Sequence, residues 1–139
     1  MSAAFEFVRY SIVNINYYAD ENNKSEKESK IETQIEIARN NESPSIFRLA
    51  LTIIVTGPKT INLLMHGYFK WNGKYVADDT ERCLGSFGTS ILYPYARVAI
   101  SEISILDGGK PIILPTINAF NMFDEDDEKS GNPEIMQQN

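Results

Sequence analysis

Residues 83–109 read CLGSFGTSILYPYARVAISEISILDGG, the one long helical pattern in a chain whose other segments are typical of strands and turns. Apolar residues recur there in steps of three and four, which places them on one face of a helix. They are Leu84, Phe87, Ile91, Tyr95, Ala99, Ile103 and Leu106. Pro94 removes one helical hydrogen bond, so a bend or restart is expected near Tyr93. Asp107-Gly108-Gly109 predicts the end of the helix.

The segments before this helix predict four strands. Residues 4–19 are rich in aromatic and β-branched types, and the alternation slips near Ile12-Val13, which indicates a bulge. The polar residues 20–29 that follow predict a hairpin loop. In the second segment, isoleucines at 31, 35 and 37 alternate with Glu32 and Glu36, as expected of a half-exposed strand.

The third and fourth strand segments, 46–57 and 60–73, are the most apolar. Each has one strongly apolar face, with Phe47, Leu49, Leu51, Ile53 and Val55 on the third and Ile61, Leu63, Met65, Phe69 and Trp71 on the fourth. Short connections favour antiparallel neighbours, so the sheet is the expected partner of the helix. A turn region at 78–80 precedes the helix and predicts its start.

The segment that follows Gly109 cannot continue the helix. Pro111 and Pro115 interrupt residues 110–118 and predict an extended apolar crossover. Asn118 then caps a short second helix, and the polar residues 124–139 predict a disordered tail. The predicted fold is α+β: a four-stranded antiparallel sheet packed against one long helix and a short C-terminal helix, in one domain of residues 1–123.

Composition excludes several classes of function. The formal net charge of −6 argues against nucleic-acid binding, because a phosphate backbone requires a basic face. A single cysteine, Cys83, excludes an internal disulfide, and we expect it to be a buried packing residue. Without an apolar run long enough to span or insert into a membrane, the expected location is cytoplasmic.

Enzymatic chemistry has little support in the sequence. His66 is the only histidine, so it cannot assemble a metal site with the distant Cys83. Carboxylate pairs occur only in loops and tails, where nothing separates their pKa values. The Gly108-Gly109 pair follows a helix and does not open one, as a phosphate-binding loop would. We therefore expect a protein that is not an enzyme and has no metal or other cofactor.

Three motifs in order then give a resemblance. They are Cys83-Leu84-Gly85, Ile91-Leu92-Tyr93-Pro94-Tyr95-Ala96-Arg97, and the crossover Pro111-Ile112-Ile113-Leu114-Pro115-Thr116-Ile117-Asn118. In order and spacing the chain resembles the SecB family of bacterial export chaperones. It departs from that family at Val98, where a glutamate is usual, and after Phe123, where the sequence becomes acidic.

The resemblance implies a holdase that works without ATP and binds unfolded preproteins in apolar grooves. The client-binding residues would be Ile112, Ile113, Leu114, Ile117, Phe120, Met122 and Phe123. It also implies a homo-oligomer, a dimer of dimers, with the first strand as a paired edge. Glu32 and Glu36 would lie on the sheet face that meets the motor ATPase SecA.

Other interpretations stay open. Ordinary core packing accounts for each apolar residue of the client set, and a solvated strand face accounts for the two glutamates. A chaperone of a toxin-antitoxin pair would have the same fold and different clients. So would an oligomeric scaffold or small-ligand protein in which the molecule's own crossover closes the groove.

Overall fold

The computed structural model of the chain describes residues 5–19, 29–73 and 79–117. Four antiparallel strands form one sheet, and a single long helix packs on one of its faces. The elements are β1 (Phe5–Ala19), β2 (Lys30–Arg39), β3 (Ile46–Thr56), β4 (Lys59–Trp71) and α1 (Thr80–Ser104). This confirms the predicted sheet and long helix. The predicted second helix, the tail and most of the loop at 20–29 lie outside the described residues.

The two central strands supply most of the core. Their side chains alternate strictly between a buried face and a half-exposed face, which is why this sequence forms strands here. The fully buried positions are Phe47, Leu49, Leu51, Ile53 and Val55 on β3, and Ile61, Leu63, Met65 and Phe69 on β4. These are the predicted inward residues, except that Trp71, at the end of β4, is only partly buried.

The order of the strands differs from the prediction. The sheet runs β1-β4-β3-β2, so β1 pairs with β4 and lies at the opposite edge from β2. Residues 20–29 therefore do not close a hairpin between β1 and β2. A connection of that length does not fix which strand β1 pairs with. The aromatic residues of β1 decide that pairing. Phe5 packs 4.9 Å from the ring of Trp71, directly opposite it on β4.

Two bulges interrupt β1. The register against β4 shifts between Phe7 and Arg9 and again between Ile12 and Asn14, which confirms the predicted bulge and adds one at Val8. Each bulge moves the following residues by one position, so Tyr10 and Ile12 point to the same face as Phe7.

The helix approaches the sheet closely where glycine replaces a side chain. A Cβ atom at Gly67 on β4 would lie 2.6 Å from Leu92 Cδ1, and one at Gly88 would lie 2.9 Å from Leu49 Cδ1. Neither glycine has a positive φ. Both positions therefore need glycine for space and not for backbone conformation.

The buried stripe of α1 is centred differently from the prediction. Its middle line repeats every four residues through Leu84, Gly88, Leu92, Ala96 and Ile100. The predicted line lies beside it: Phe87, Ile91, Ala99 and Ile103 are only partly buried. Tyr95 is 43% exposed and Leu106 is 76% exposed. The prediction followed the large apolar residues. Close packing instead places the small residues Gly88 and Ala96 in the buried line, where they let the helix backbone approach the sheet.

The helix runs without a break through Pro94, so of the two predicted alternatives, a bend or a restart, the restart is wrong. Proline leaves the Ser90 carbonyl without its helical donor, but Pro94 and Ser90 are both exposed, where water can satisfy that carbonyl. The N-cap residue is Asp79, within the predicted region 78–80, and the helix runs from Thr80 to Ser104. Gly108 has a φ of +82°, and its N–H bonds the Ile105 carbonyl at 2.9 Å, so the left-handed turn follows the helix end.

Candidate client-binding surface

The crossover that follows α1 runs back along the helix and is fastened to it at two points. The Ile112 N–H donates to Ser104 Oγ at 2.8 Å, and the Tyr93 hydroxyl donates to the Pro115 carbonyl at 2.6 Å. Burial raises the pKa of Tyr93, and the Arg97 charge opposes this shift. The phenol therefore stays protonated and keeps donating.

Side chains of the crossover alternate between the core and solvent. Leu114 is fully buried in the core, and Ile112 and Ile117 are partly buried against it. Ile113, between them, is 68% exposed. The crossover thus presents Ile113 on a fixed backbone, while Leu114 anchors it and offers no accessible surface in this state. The other predicted client residues, Phe120, Met122 and Phe123, lie outside the described residues.

A polar cluster holds the start of the crossover to the sheet. Asp107 accepts hydrogen bonds from the Tyr17 hydroxyl at 2.7 Å, from Lys59 Nζ at 3.0 Å and from the Gly109 N–H at 2.9 Å. Lys59 also donates to the Ser104 carbonyl at 2.7 Å, so it caps the last turn of the helix. The cluster therefore ties the edge strand β1 and its neighbour β4 to the helix terminus.

The same cluster shifts two pKa values in opposite directions. The hydrogen bonds from Tyr17, Lys59 and Gly109 lower the pKa of Asp107 to about 2, because they favour its charged form. The hydrogen bond to Asp107, helped by burial and by the carboxylate charge, raises the pKa of Tyr17. At neutral pH the acceptor is therefore charged and the donor neutral, which is the arrangement that binds most strongly.

A second apolar surface lies where β1 meets α1, and the sequence did not predict that Tyr10 and Tyr95 form it. The ring of Tyr10 stacks on Tyr95 with the centroids 4.6 Å apart, and both side chains stay partly exposed. Ile12 follows on the same face of β1, and Val98 lies one turn along the helix from Tyr95. The bulge at Val8 creates this surface, because without it Tyr10 would face the other way.

The face of the sheet opposite the helix carries the predicted partner residues. Glu32 and Glu36 are exposed there, four residues apart on β2 and therefore about 13 Å apart along the strand. Glu36 lines a shallow depression of about 490 Å³ together with His66 and Arg48. Burial, followed by the Arg48 charge, lowers the pKa of His66 below its usual 6.5, so His66 is neutral at pH 7.

The single cysteine differs from the expectation. Cys83 is exposed near the start of α1, so the prediction of a buried packing residue is wrong. It lies on the side of the helix away from the sheet, next to the buried Leu84.

In the described segments, no group of three His, Cys, Asp or Glu side chains could hold a metal ion. No helix in those segments is long and apolar enough to cross a bilayer.

Comparison with known proteins assigns this arrangement to a family. The family model described as preprotein translocase subunit SecB matches residues 10–130, which is most of the chain. The chain belongs to the SecB family. A search of curated protein sequences finds no match to it.

Two solved structures share the SecB-type fold at low sequence identity. One is the Rv1957 SecB-like chaperone of Mycobacterium tuberculosis, in complex with a ChAD peptide from the Rv1956 HigA1 antitoxin. It superposes with a TM-score of 0.70 at 10% identity, over 82% of this chain and 88% of that one. The other is a protein of unknown function from Streptococcus agalactiae, with a TM-score of 0.52 at 12% identity, over 82% of this chain and 100% of that one.

Proposed function

We propose that this SecB-family chain is a holdase chaperone: it binds non-native polypeptides without ATP and without catalysing a reaction. The observation that carries the proposal is the exposed Ile113 on a crossover whose backbone is fixed by Tyr93 and Ser104. A rigid support keeps an apolar side chain in solvent, where an unfolded chain can reach it. The net charge of −6 opposes aggregation of a particle with such a surface.

The client surface we propose extends from Ile113 over the partly buried flanks of Ile112 and Ile117. Phe120, Met122 and Phe123 remain its predicted continuation. Leu114 serves as an anchor that keeps Ile113 facing outward, because neighbouring residues of an extended chain point in opposite directions.

Aggregation of an unfolded test protein, followed by light scattering at equimolar subunits, tests this proposal. We expect the wild-type chain to suppress scattering without added ATP and Ile113→Glu to lose most of that suppression. Thr116→Glu is the matched control, because it adds the same charge at another exposed position of the crossover. Equal loss in both variants would point to charge and not to an apolar contact. No suppression by the wild type would favour the scaffold or small-ligand interpretation.

Protein export is the client pathway that we propose, with preproteins as clients in the cytoplasm and SecA as a partner at Glu32 and Glu36. A chaperone of a toxin-antitoxin pair is the second candidate, supported by the relative solved with an antitoxin peptide. Co-purification from cells separates the two. SecA retained by the wild type and lost in Glu32→Lys/Glu36→Lys would support export, whereas a retained antitoxin would support the second candidate.

Assembly into a homo-oligomer, a dimer of dimers, completes the proposal. The supporting observation is the long edge strand β1, which exposes Val8, Ile12, Val13 and Tyr18, because edges of this kind are usually paired in native proteins. Solution mass measures the state directly. We expect four subunits for the wild type and a smaller particle for Ile12→Glu, while a monomeric wild type would contradict this part of the proposal.

A further inference from the structure

Two arginines and a tyrosine form a row across the sheet on the face opposite the helix. The register places Arg48 of β3 beside Tyr68 of β4, and Tyr68 beside Arg9 of β1. The Arg9 guanidinium carbon lies 4.1 Å from the centre of the Tyr68 ring, within the range of a cation–π contact. The bulge at Val8 decides this placement, because strict alternation would turn Arg9 to the side of Phe5 and Phe7.

A third arginine completes the cluster at the end of β2. Arg39 Nε donates to the Pro44 carbonyl at 2.8 Å, and the guanidinium carbon lies 5.9 Å from the centre of the Phe47 ring, so the group is held at the end of the strand. With Arg48 and Tyr68 it lines a depression of about 220 Å³. The remaining lining includes the apolar side chains of Ala38 and Ile46, which form an apolar floor between positive charges.

Within the described segments, the charges of this cluster have no ion-pair partner. No carboxylate of those segments lies within ion-pair distance of Arg9, Arg39 or Arg48. Lys70 lies beside Ile46 in the next row and adds a further positive charge, with Glu6 opposite it. On a chain of net charge −6, Arg9 and Arg48 are thus grouped at one end of the sheet face opposite the helix. Arg39, whose register partner Phe47 faces the helix, joins them from the end of β2 through the shared depression.

We propose that Arg9, Arg39, Arg48 and Tyr68, the Arg patch, form a docking surface for an acidic segment of a partner protein. Guanidinium groups bind carboxylates through two parallel hydrogen bonds, and clusters of them recognise acidic motifs. The depression between them accepts one apolar side chain of the same segment. Glu6 and Glu36 border the Arg patch, and together with the net charge they disfavour a long polyanion such as a nucleic acid.

The row Arg9, Tyr68 and Arg48 of the Arg patch lies on the sheet face opposite the helix and the crossover, so the patch and the client surface can be occupied together. The acidic partner would thus be recognised independently of any client. The proposal also differs from a SecA-type contact at Glu32 and Glu36, because it selects a partner of the opposite charge on the same face.

Fluorescence anisotropy tests the proposal with the full chain and a labelled peptide in which glutamates flank one central leucine. We expect Arg39→Gln and Arg48→Gln to weaken binding about threefold each and about tenfold together. Lys30→Gln is the matched control, because it removes the same charge from an exposed position at the other end of β2. It should leave the affinity within about twofold. Raising NaCl from about 0.05 M to about 0.5 M should weaken wild-type binding.

Several outcomes would overturn the proposal. Equal losses in Lys30→Gln and Arg48→Gln would show that net charge alone is sensed. Tighter binding of an oligothymidylate than of the peptide would make nucleic acid the partner. A variant in which the five acidic residues 124–128 are replaced by the corresponding amides tests whether the chain's own acidic run occupies the Arg patch. If it binds the peptide about tenfold more tightly than the wild type, the chain's own acidic run occupies the Arg patch. Because the readout is peptide binding, it is independent of aggregation suppression.

Discussion

Gly67→Ala is the substitution that tests the helix–sheet contact most directly. The added Cβ would lie 2.6 Å and 2.9 Å from the two Cδ atoms of Leu92 and 3.0 Å from Phe69 Cε2. Leu92 is fully buried, so it cannot move away into solvent. The helix must therefore shift outward or Leu92 must leave its preferred rotamer.

Two opposing terms set the size of the effect. Overpacking of a filled core costs about 1–3 kcal/mol. Gly67 has no positive φ, so alanine fits its backbone and gains about 0.4–1 kcal/mol by restricting the unfolded chain. We expect the free energy of unfolding to fall by about 1–2 kcal/mol. Without the helix above the sheet, Gly67→Ala would raise the free energy of unfolding. A decrease in that free energy therefore reports the contact with Leu92.

A double-mutant cycle with Leu92→Ala isolates that contact. Leu92→Ala alone should cost about 2–5 kcal/mol, because it leaves a cavity between the helix and the sheet. In the Leu92→Ala variant, the loss of unfolding free energy caused by Gly67→Ala should be smaller by about 1 kcal/mol or more, because the methyl groups of Leu92 that clash with the added Cβ are gone. The contact with Phe69 persists, so the cost need not vanish.

Urea unfolding followed by the fluorescence of Trp71, the only tryptophan, measures each free energy. The subunit concentration must be equal in all samples, because oligomerisation shifts apparent stability. Gly57→Ala is the control, since its Cβ would meet Ser29 Oγ at 3.1 Å and not Leu92. Additive effects of Gly67→Ala and Leu92→Ala, within about 0.5 kcal/mol, would refute the reasoning.

Three further predictions concern the crossover and the turn before it. Leu114→Ala should lower the free energy of unfolding by about 2–5 kcal/mol and Ile113→Ala by less than about 0.5 kcal/mol, measured by urea unfolding; similar losses would contradict the assigned burial. Asp107→Asn should lower the urea midpoint at pH 7. The pKa of Asp107 is depressed from 3.8 to about 2, so its contribution is present above pH 3.8 and is lost as the pH falls through about 2. The difference between this variant and the wild type should therefore narrow over that window, and a difference that does not change with pH would contradict the role of the charge. Gly108→Ala should cost about 1–2 kcal/mol through its φ of +82° alone, because no atom of the described residues lies within 4 Å of the added Cβ, and Gly108→Asn should cost less.

Strand identity could be predicted from the sequence because alternation is a local signal. The inward residues of β3 and β4 were predicted position by position, since a strand of period two offers only two faces and one was plainly more apolar. The same signal could not give the order of the strands. Which edge β1 joins depends on contacts such as Phe5 with Trp71, between residues far apart in the chain.

The sequence predicted the client-binding residues as a group but could not show which of them are buried. Ile112, Ile113 and Leu114 are equivalent as sequence, and only the hydrogen bonds from Ile112 and to Pro115 fix which of them faces the core. The surface at Tyr10 and Tyr95 was missed because it depends on a bulge. The break in alternation around Val8 was the one signal that could have indicated it.

The sequence by itself determined the elements: four strands, one long helix, a proline-bounded crossover and the family motifs within them. Each of these follows from local periodicity and from proline and glycine, which act within a few residues. Tertiary structure alone decided the strand order, the true buried line of the helix and the grouping of Arg9, Arg39 and Arg48. These features depend on packing between distant residues. Gly67 and Gly88 allow the helix to lie close to the sheet because they have no side chain, and a residue without a side chain gives no hydrophobic signal in the sequence.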